Sequence, residues 1–206
     1  MNNGVIIDYK MGNVASVKKA FQKIGASIVI SNKKTAIERA DYLILPGVGA
    51  FRDGIKNLKK LGLVKLLTKK VLKDKVPFLG ICLGMQLLAE KGQEFGVHDG
   101  LGWIKGEAVK LNGEGLRLPH VGWDDIKVNK ENSVILDDIP DNNFYFAHSY
   151  YLKPADKKII SSTCDYGDIF PASIHKDNIF ATQFHPEKSQ NSGLRLLENF
   201  LNYAKN

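Results

Sequence analysis

Between residues 76 and 89 the chain reads Val76-Pro77-Phe78-Leu79-Gly80-Ile81-Cys82-Leu83-Gly84-Met85-Gln86-Leu87-Leu88-Ala89. This is a short apolar strand, a tight Gly-x-Cys-x-Gly turn and then a helix, the pattern of a nucleophile elbow with cysteine in place of serine. Such a turn strains the backbone and points its central side chain out of the sheet, while Gly80 and Gly84 leave room for close packing. A helix start behind Cys82 favours the thiolate, and the N–H of Leu83 is predicted to face a developing oxyanion.

Cys82 also has a plainer interpretation, as a core residue, because free cysteine is among the most buried residue types. The two flanking glycines favour the nucleophile. A nucleophilic cysteine further needs a base, an acid that orients the base and a second oxyanion donor. The other cysteine, Cys164, has no such glycines and is predicted to be a small core residue.

The composition is that of an ordinary globular protein. The chain has 206 residues, of which 44% are hydrophobic and 25% are charged, so we expect a single domain over residues 1–206. The net charge of +7 favours an acidic partner surface or an anionic ligand. Because the lysines are spread along the chain and no basic run alternates with aromatic residues, a solvated surface is favoured and nucleic acid is not expected.

The cellular setting is predicted from what the sequence lacks. Two cysteines do not make a disulfide framework and indicate a reducing compartment. No signal-peptide pattern opens the chain, and the longest mostly apolar run, residues 78–89, is too short to span a bilayer. Zinc-ligand spacing is absent. We therefore expect a cytoplasmic protein without membrane contact.

The hydrophobic pattern predicts an α/β fold. In the first half, strand-like runs alternate with helical patterns, which predicts parallel pairing through right-handed crossovers and ligand binding beyond the carboxyl ends of the strands. The second half is hairpin-rich. The sequence thus predicts a mostly parallel central sheet flanked by helices, with a smaller antiparallel β portion in the second half. The expected strands cover residues 4–8, 27–30, 42–45, 76–80, 107–111, 125–128, 133–136, 143–151, 158–165 and 179–184.

Two further segments supply the missing parts of a cysteine site. Pro46-Gly47-Val48-Gly49 follows a strand, and its glycines would let backbone N–H groups approach a ligand, although a plain turn is the alternative. His185-Pro186-Glu187 follows the last strand. In an extended chain His185 and Glu187 would lie on one side, with Pro186 preventing a helix, so that the carboxylate fixes the tautomer of the histidine. The alternative is a surface loop.

The remaining histidines are weaker candidates. His98 is expected in a solvated loop, and His175 lies in a strand-like run. His120 and His148 lie in richer contexts and could line a site. We favour the alternative that both are packed and hydrogen-bonded.

Together these segments resemble class I glutamine amidotransferases with a Cys-His-Glu triad, over nearly the whole chain. Residues 80–86 look like the nucleophile segment of that family, and His185-Pro186-Glu187 looks like its His-x-Glu pair. Pro46-Gly47-Val48-Gly49 is similar to one branch of the family, the glutaminase subunits of imidazole glycerol phosphate synthases, whereas most class I relatives carry Pro-Gly-Gly at this place. The same branch is indicated by Asp8-Tyr9, Met11-Gly12-Asn13, His148-Ser149-Tyr150 and His185-Pro186-Glu187-Lys188-Ser189-Gln190.

The resemblance implies a role for each matching residue. Cys82 would attack the side-chain amide carbon of glutamine, His185 would take the thiol proton and later protonate ammonia, and Glu187 would orient His185. Water would hydrolyse the glutamyl thioester to glutamate. The oxyanion would be held by the N–H of Leu83 and by the loop of Gly47, Val48 and Gly49, which flips a peptide when a partner binds. Candidate contacts to glutamine are Gln86, Ser149 and Tyr150.

The resemblance also implies a partner. Ammonia would pass to a separate (β/α)₈-barrel cyclase subunit in a heterodimer, which makes imidazole glycerol phosphate and AICAR in histidine biosynthesis. No cofactor, metal, nucleic acid or membrane is implied. Lys10 stands where the family has glycine and Asp124 where it has asparagine, and both departures bear on the partner rather than on the triad.

Three alternatives stay open at this point. A paralogous glutaminase subunit would have the same chemistry but supply ammonia to a sugar amidotransferase in surface-polysaccharide synthesis. A stand-alone cysteine hydrolase or peptidase would need no partner, and the Gly47-Val48-Gly49 loop and the His-Pro-Glu segment argue against it. A catalytically inactive binding subunit would normally have lost its nucleophile or base, whereas Cys82, His185 and Glu187 are all present.

Overall fold

The computed structural model describes residues 3–113 and 115–205. The domain expected over residues 1–206 therefore includes Met1, Asn2, Glu114 and Asn206, which lie outside the described residues. The strands are β1 (Gly4–Ile7), β2 (Ile28–Ser31), β3 (Tyr42–Gly47), β4 (Phe78–Cys82), β5 (Lys91–Gly92), β6 (His98–Asp99), β7 (Gly106–Lys110), β8 (His120–Val128), β9 (Asn143–His148), β10 (Tyr150–Pro154), β11 (Ile160–Asp165), β12 (Ile169–Lys176) and β13 (Ile179–Thr182).

The helices fall mainly in the first half of the chain and at its end. The α-helices are α1 (Val14–Lys23), α2 (Lys34–Glu38), α3 (Phe51–Lys60), α4 (Val64–Thr68), α5 (Leu83–Gln86) and α6 (Gln190–Lys205). A π-helical turn, Lys69–Lys73, continues α4. Short 3₁₀ turns are Lys130–Asn132, Val134–Leu136, Lys157–Ile159 and Pro186–Lys188.

The central sheet has nine strands in the order β2-β1-β3-β4-β13-β12-β11-β8-β9. The pairs from β2 to β13 are parallel, and those from β13 to β9 are antiparallel. This confirms the predicted fold class. In the register of β3 with β4, Gly47 lies opposite Cys82, so the carboxyl ends of the two strands meet at one edge.

Burial on both faces explains the parallel half. In β1, Val5 and Ile7 belong to one apolar cluster, and Ile6 between them belongs to another. The first cluster is covered by α2, α3 and α4, and the second by α1 and α6. Strands buried on both faces carry near-continuous apolar runs, as the sequence of these strands does.

A second sheet brings the middle of the chain to the carboxyl edge. It has four strands in the order β10-β7-β5-β6. Only Ser149 lies between the end of β9 at His148 and the start of β10 at Tyr150, so one segment joins the two sheets. That segment, residues 147–150, lies beside Cys82.

The structure corrects three local expectations. Residues 133–136, predicted as a strand, contain the 3₁₀ turn Val134–Leu136. The side-chain amide of Asn199 in α6 donates hydrogen bonds to the carbonyls of Ile135 and Asp137, so these groups are not available to a neighbouring strand. The helix expected through Ala89 is the single turn α5, since the carbonyls of residues 87–89 accept N–H groups from residues 101–104 instead. Residues 143–151, predicted as one strand, are divided into β9 and β10 at Ser149.

Candidate active site

Cys82 ends β4 in a strained turn. Its backbone has φ 53° and ψ −109°, a positive φ that a non-glycine residue adopts only under constraint. The two flanking glycines allow the turn, because a Cβ on Gly84 would collide with the carbonyl of Leu45, and a Cβ on Gly80 would lie 2.9 Å from the carbonyl oxygen of Gly84. Both are positions of close backbone approach. The predicted elbow geometry is present, although α5 behind it has only four residues.

His185 and Glu187 form a buried pair. The Nδ1 of His185 lies 2.9 Å from Oε1 of Glu187, and both side chains are only 2% exposed. The pairing was predicted, but the reason was wrong. Pro186–Lys188 is a 3₁₀ turn rather than an extended segment, and Pro186 occupies its first position, where proline needs no N–H partner.

The charges around His185 favour an imidazolium. Burial by itself lowers the pKa of this histidine, but the Cys82 thiolate and the Glu187 carboxylate beside it together raise that pKa to about 10. Since Nδ1 faces Glu187, Nε2 is the nitrogen left to exchange a proton with Cys82. This Nε2 is buried and makes no hydrogen bond to the residues described.

The Cys82 sulfur also faces two polar groups of the scaffold. Its Sγ lies 4.0 Å from the carbonyl oxygen of Ala147 and accepts a hydrogen bond from Nε2 of Gln183 at 3.7 Å. Gln86 then donates through Nε2 to Oε1 of Gln183 at 3.2 Å and to the carbonyl of Tyr150 at 2.6 Å. Sequence reasoning missed Gln183, whose signal is a polar amide in the apolar run that leads to His185.

A cavity of about 330 Å³ opens at Cys82. Besides Cys82, its walls include most of the predicted oxyanion and substrate-binding residues, whereas Gly47, His185 and Glu187 do not line it. Sequence reasoning missed Glu94, which is the one carboxylate in this lining and whose Oε2 accepts the N–H of Phe51 at 2.8 Å. The lining residues are Val48, Gly49, Ala50, Cys82, Leu83, Gln86, Glu94, Phe95, Pro119, Ala147, His148, Ser149 and Tyr150.

The glycine-rich loop does not present Val48 to the sulfur. The N–H of Val48 donates to the carbonyl of Met11 at 2.6 Å and is therefore turned away from an oxyanion at Cys82. Gly49 has φ +101°, a conformation that favours glycine. Of the predicted oxyanion donors, Val48 is thus engaged elsewhere in this conformation.

The segment before that loop carries two unusual residues. Lys10, at the position of the family glycine, has φ 66° and forms an ion pair of 2.9 Å with Asp8. The hydroxyl of Tyr9 contacts Gly47, is fully buried and has no hydrogen-bond partner among the residues described. Burial, followed by the charge of Cys82, raises the pKa of this phenol.

His120 and His148 are packed and hydrogen-bonded, as favoured from the sequence. They are 1% and 5% exposed. The Nε2 of His120 lies 2.7 Å from Oδ2 of Asp124, and its Nδ1 lies 3.3 Å from Nε2 of His148. His148 donates through Nδ1 to the carbonyl of Tyr150 at 3.0 Å and also lines the cavity.

Other chemistries find little support in the part of the chain that is described. Over residues 3–113 and 115–205, no group of three or more His, Cys, Asp or Glu side chains could hold a metal ion. None of the helices described there has the length and apolarity needed to cross a membrane. Cys164 is buried, and burial raises the pKa of its thiol to about 12, which makes it a poor nucleophile.

The sequence has close relatives over nearly its full length. A protein of Campylobacter jejuni subsp. jejuni serotype O:23/36 (strain 81-176), named imidazole glycerol phosphate synthase subunit HisH 1, is 51% identical, and the match covers 95% of this chain and 97% of that protein. The subunit HisH of Aquifex aeolicus (strain VF5) is 49% identical, with coverage of 98% and 97%.

Solved structures share the fold of this chain, and a family model matches its sequence. A structure titled as a glutamine amidotransferase has a TM-score of 0.77 at 20% identity and covers 98% of this chain and 99% of its own. PurLQS from Thermotoga maritima has a TM-score of 0.71 at 18% identity, with coverage of 98% on both sides. At these identities the likeness shows the fold alone. The family model for glutamine amidotransferase class-I matches residues 5–203. The chain therefore belongs to the class-I glutamine amidotransferases.

Proposed function

We propose that this chain is the glutaminase subunit of an imidazole glycerol phosphate synthase in histidine biosynthesis. The observation that carries the proposal is the cysteine elbow at Cys82, which lines the cavity and lies beside the buried His185–Glu187 pair. The relatives named HisH, at 51% and 49% identity over nearly the whole length, support the pathway. The reaction is hydrolysis of glutamine to glutamate and ammonia.

The two half-reactions use one proton on His185. The thiolate of Cys82 attacks the side-chain amide carbon of glutamine, and the imidazolium protonates the amide nitrogen as the C–N bond breaks and ammonia leaves. His185 then takes a proton from water, which attacks the thioester. Collapse releases glutamate and restores the thiolate. Glu187 keeps the Nδ1 proton in place throughout, so Nε2 always faces the reacting atoms.

The oxyanion of both tetrahedral intermediates would be held by backbone N–H groups. The N–H of Leu83 follows the nucleophile, and the second donor is Val48 after its peptide has turned. Turning that peptide breaks the bond to Met11, which costs about 1 kcal/mol, and the glycines on both sides of Val48 keep the backbone cost small. The chain without its partner is thus expected to have low activity.

Glutamine would be oriented by several of the groups that line the cavity. Glu94 is placed to pair with the α-ammonium group, because it is the one carboxylate in the lining. Both amide protons of Gln86 are used within the protein, which leaves its Oε1 as an acceptor for the substrate. Ser149 and Tyr150 line the same cavity next to Ala147.

The partner proposed here is a separate (β/α)₈-barrel cyclase subunit in a heterodimer. It would use the ammonia to make imidazole glycerol phosphate and AICAR, without a cofactor or metal in this subunit. The relatives are named as subunits, which supports assembly with another chain. We further propose one domain over residues 1–206 and a cytoplasmic location, and the family match over residues 5–203 supports the single domain.

The test is glutamate release from glutamine, with and without the cyclase barrel subunit from the same organism. Strong stimulation by the barrel and its ligand is expected. If the barrel gives no stimulation while Cys82 still reacts with a glutamine-mimicking electrophile, the histidine pathway is wrong and a sugar amidotransferase is the partner to try. If Cys82 does not react either, the glutaminase itself is wrong.

A further inference from the structure

A chain of hydrogen bonds runs from the outer face of the antiparallel half to the nucleophile. It begins at Asp124, whose side chain is 40% exposed, and enters the protein through His120 and His148, both buried. From the carbonyl of Tyr150 it continues through Gln86 and Gln183 to the sulfur of Cys82; the links are those given above. The triad mechanism does not use Asp124, His120 or His148.

The proton positions in this chain follow from its fixed ends. The carbonyl of Tyr150 can only accept, so His148 carries its proton on Nδ1. Burial, with the charges of His120 and His185, lowers the pKa of His148 to about 3, which keeps the ring neutral and leaves its Nε2 without a proton. His120 must therefore donate from Nδ1 to this Nε2.

The other nitrogen of His120 then faces a carboxylate at 2.7 Å. With Nδ1 already protonated, a neutral His120 has a bare Nε2, and two lone pairs at this distance repel each other. One further proton must lie between Nε2 and Oδ2 of Asp124. Burial lowers the pKa of His120, while the hydrogen bond to Asp124 and its charge oppose that shift.

The surroundings of His120 hold the ring in this orientation. It is stacked between Tyr166, at 4.0 Å and 17°, and Phe146, at 4.8 Å and 18° between ring planes. Aromatic faces on both sides favour a positive charge on the imidazole. Of the groups that titrate, Asp124 faces it from its own strand, His148 from β9 and Tyr166 from the segment after β11, while β12 contributes the apolar ring of Phe170.

We infer that Asp124 and His120 share one proton and act together as positioning residues, which hold His148 and, through it, the Ser149–Tyr150 wall of the glutamine cavity. Without the shared proton, His120 would turn its single proton to Asp124, and the bond to His148 would be lost. This inference rests on the proposed function, because its kinetic readout is glutamine turnover. An asparagine at position 124 would hold His120 in the same orientation without a shared proton, because its side-chain amide can donate a hydrogen bond to Nε2 of His120.

The kinetic test compares three variants with the wild type, each in complex with the barrel subunit, between about pH 5 and 8. Asp124→Leu is expected to lower kcat/KM for glutamine about 10-fold, mostly through KM, and Asp124→Asn should stay within about 3-fold at neutral pH. The ratio of kcat/KM in Asp124→Asn to that in the wild type should rise with pH, because only the wild type loses the shared proton. Asp125→Asn, changed at an exposed neighbour that faces Asn143, is the matched control and should give a flat ratio.

A flat ratio for Asp124→Asn, or an Asp124→Leu variant with wild-type KM, overturns the inference. A second measurement does not depend on turnover. Nitrogen-15 spectra of the histidine rings in the isolated chain should show His148 protonated on Nδ1 throughout, and His120 protonated on both nitrogens or sharing its second proton at about pH 5. A neutral His120 protonated on Nε2 alone at that pH would refute the inference even if the glutaminase activity is confirmed.

Discussion

Two regions of the molecule each hold a histidine against a carboxylate, and they differ in what surrounds the pair. After β13, His185 lies 2.9 Å from Glu187 with both groups buried; on β8, His120 lies 2.7 Å from an Asp124 that is 40% exposed. The pKa of His185 is raised to about 10, whereas that of His120 is lowered. Distance to the carboxylate does not explain this difference. Burial lowers the pKa of both histidines; at His185 the charges of Cys82 and Glu187 outweigh it, whereas at His120 Asp124 alone does not.

Removing the Cys82 thiolate should abolish the difference in pKa between His185 and His120. Cys82→Ala is expected to lower glutamine turnover about 10⁴-fold or more, because no thioester forms, and to lower the pKa of His185. Glutamate release and nitrogen-15 titration of His185 measure the two effects. Cys164→Ala, at the buried cysteine outside the cavity, is the matched control. Turnover near the wild-type rate in Cys82→Ala would exclude the mechanism.

Replacing the carboxylate by an amide should affect activity differently in the His185–Glu187 pair and in the His120–Asp124 pair. Glu187→Gln is expected to reduce kcat about 10³–10⁴-fold, because a side-chain amide can donate to Nδ1 and so favours the wrong tautomer of His185. Asp124→Asn, by contrast, keeps the tautomer that His148 requires. Glu198→Gln at the exposed face of α6 serves as a control. Equal losses in Glu187→Gln and Asp124→Asn would show that the pairs do not differ in role.

The candidate triad could be proposed from the sequence because its signals are local. Glycines on both sides of Cys82, and a histidine and a glutamate two residues apart after a strand, can be recognised without knowledge of the fold. The alternation of strands and helices likewise predicted the parallel half. The sequence showed that Lys10 stands where the family has glycine, but it did not show that Lys10 adopts a left-handed conformation.

What the sequence could not show depends on contacts between distant segments. Gln183 lies 101 residues from Cys82, and Gln86 meets the carbonyl of Tyr150 across 64 residues. The bond from Val48 to Met11 depends on the orientation of one peptide, which no residue type dictates. The 3₁₀ turn at Val134–Leu136 forms because Asn199 of α6 binds its carbonyls, and propensity alone favoured a strand there.

Gln86 connects the His120–Asp124 region to the Cys82 site through its bonds to Tyr150 and Gln183, so its removal tests whether the two regions are coupled. Gln86→Ala is expected to raise KM for glutamine about 10-fold, because it frees the carbonyl of Tyr150 and the side chain of Gln183. Steady-state kinetics with the partner present measure this. Gln93→Ala, at an exposed glutamine bonded to Glu107, is the control. An unchanged KM would mean that the two regions are not coupled through this side chain.

The smallest effect concerns stability in acid. His148 has a pKa of about 3 in the folded state, below its value of about 6.5 when unfolded. Its contribution to stability is therefore full above about pH 6.5 and is lost as the pH falls toward 3, because the unfolded state binds the proton first. Between pH 7.5 and 5 the loss is about 2 kcal/mol.

Urea unfolding at both pH values checks this in the wild type and in His148→Gln, with His98→Gln as control. The difference in unfolding free energy between wild type and His148→Gln should shrink in acid. A difference that does not change with pH would mean that His148 titrates in the folded state as freely as in the unfolded chain.

The central claim is that Cys82 is an activated nucleophile in a cavity that binds glutamine. The most direct measurement is mass spectrometry of the protein after reaction with a glutamine analogue that carries a diazoketone in place of the side-chain amide. We expect one label, on Cys82, with none on Cys164, and glutamine should slow the labelling. Labelling of Cys164 at a similar rate, or no labelling of Cys82 in the complex with the barrel subunit, would contradict the account.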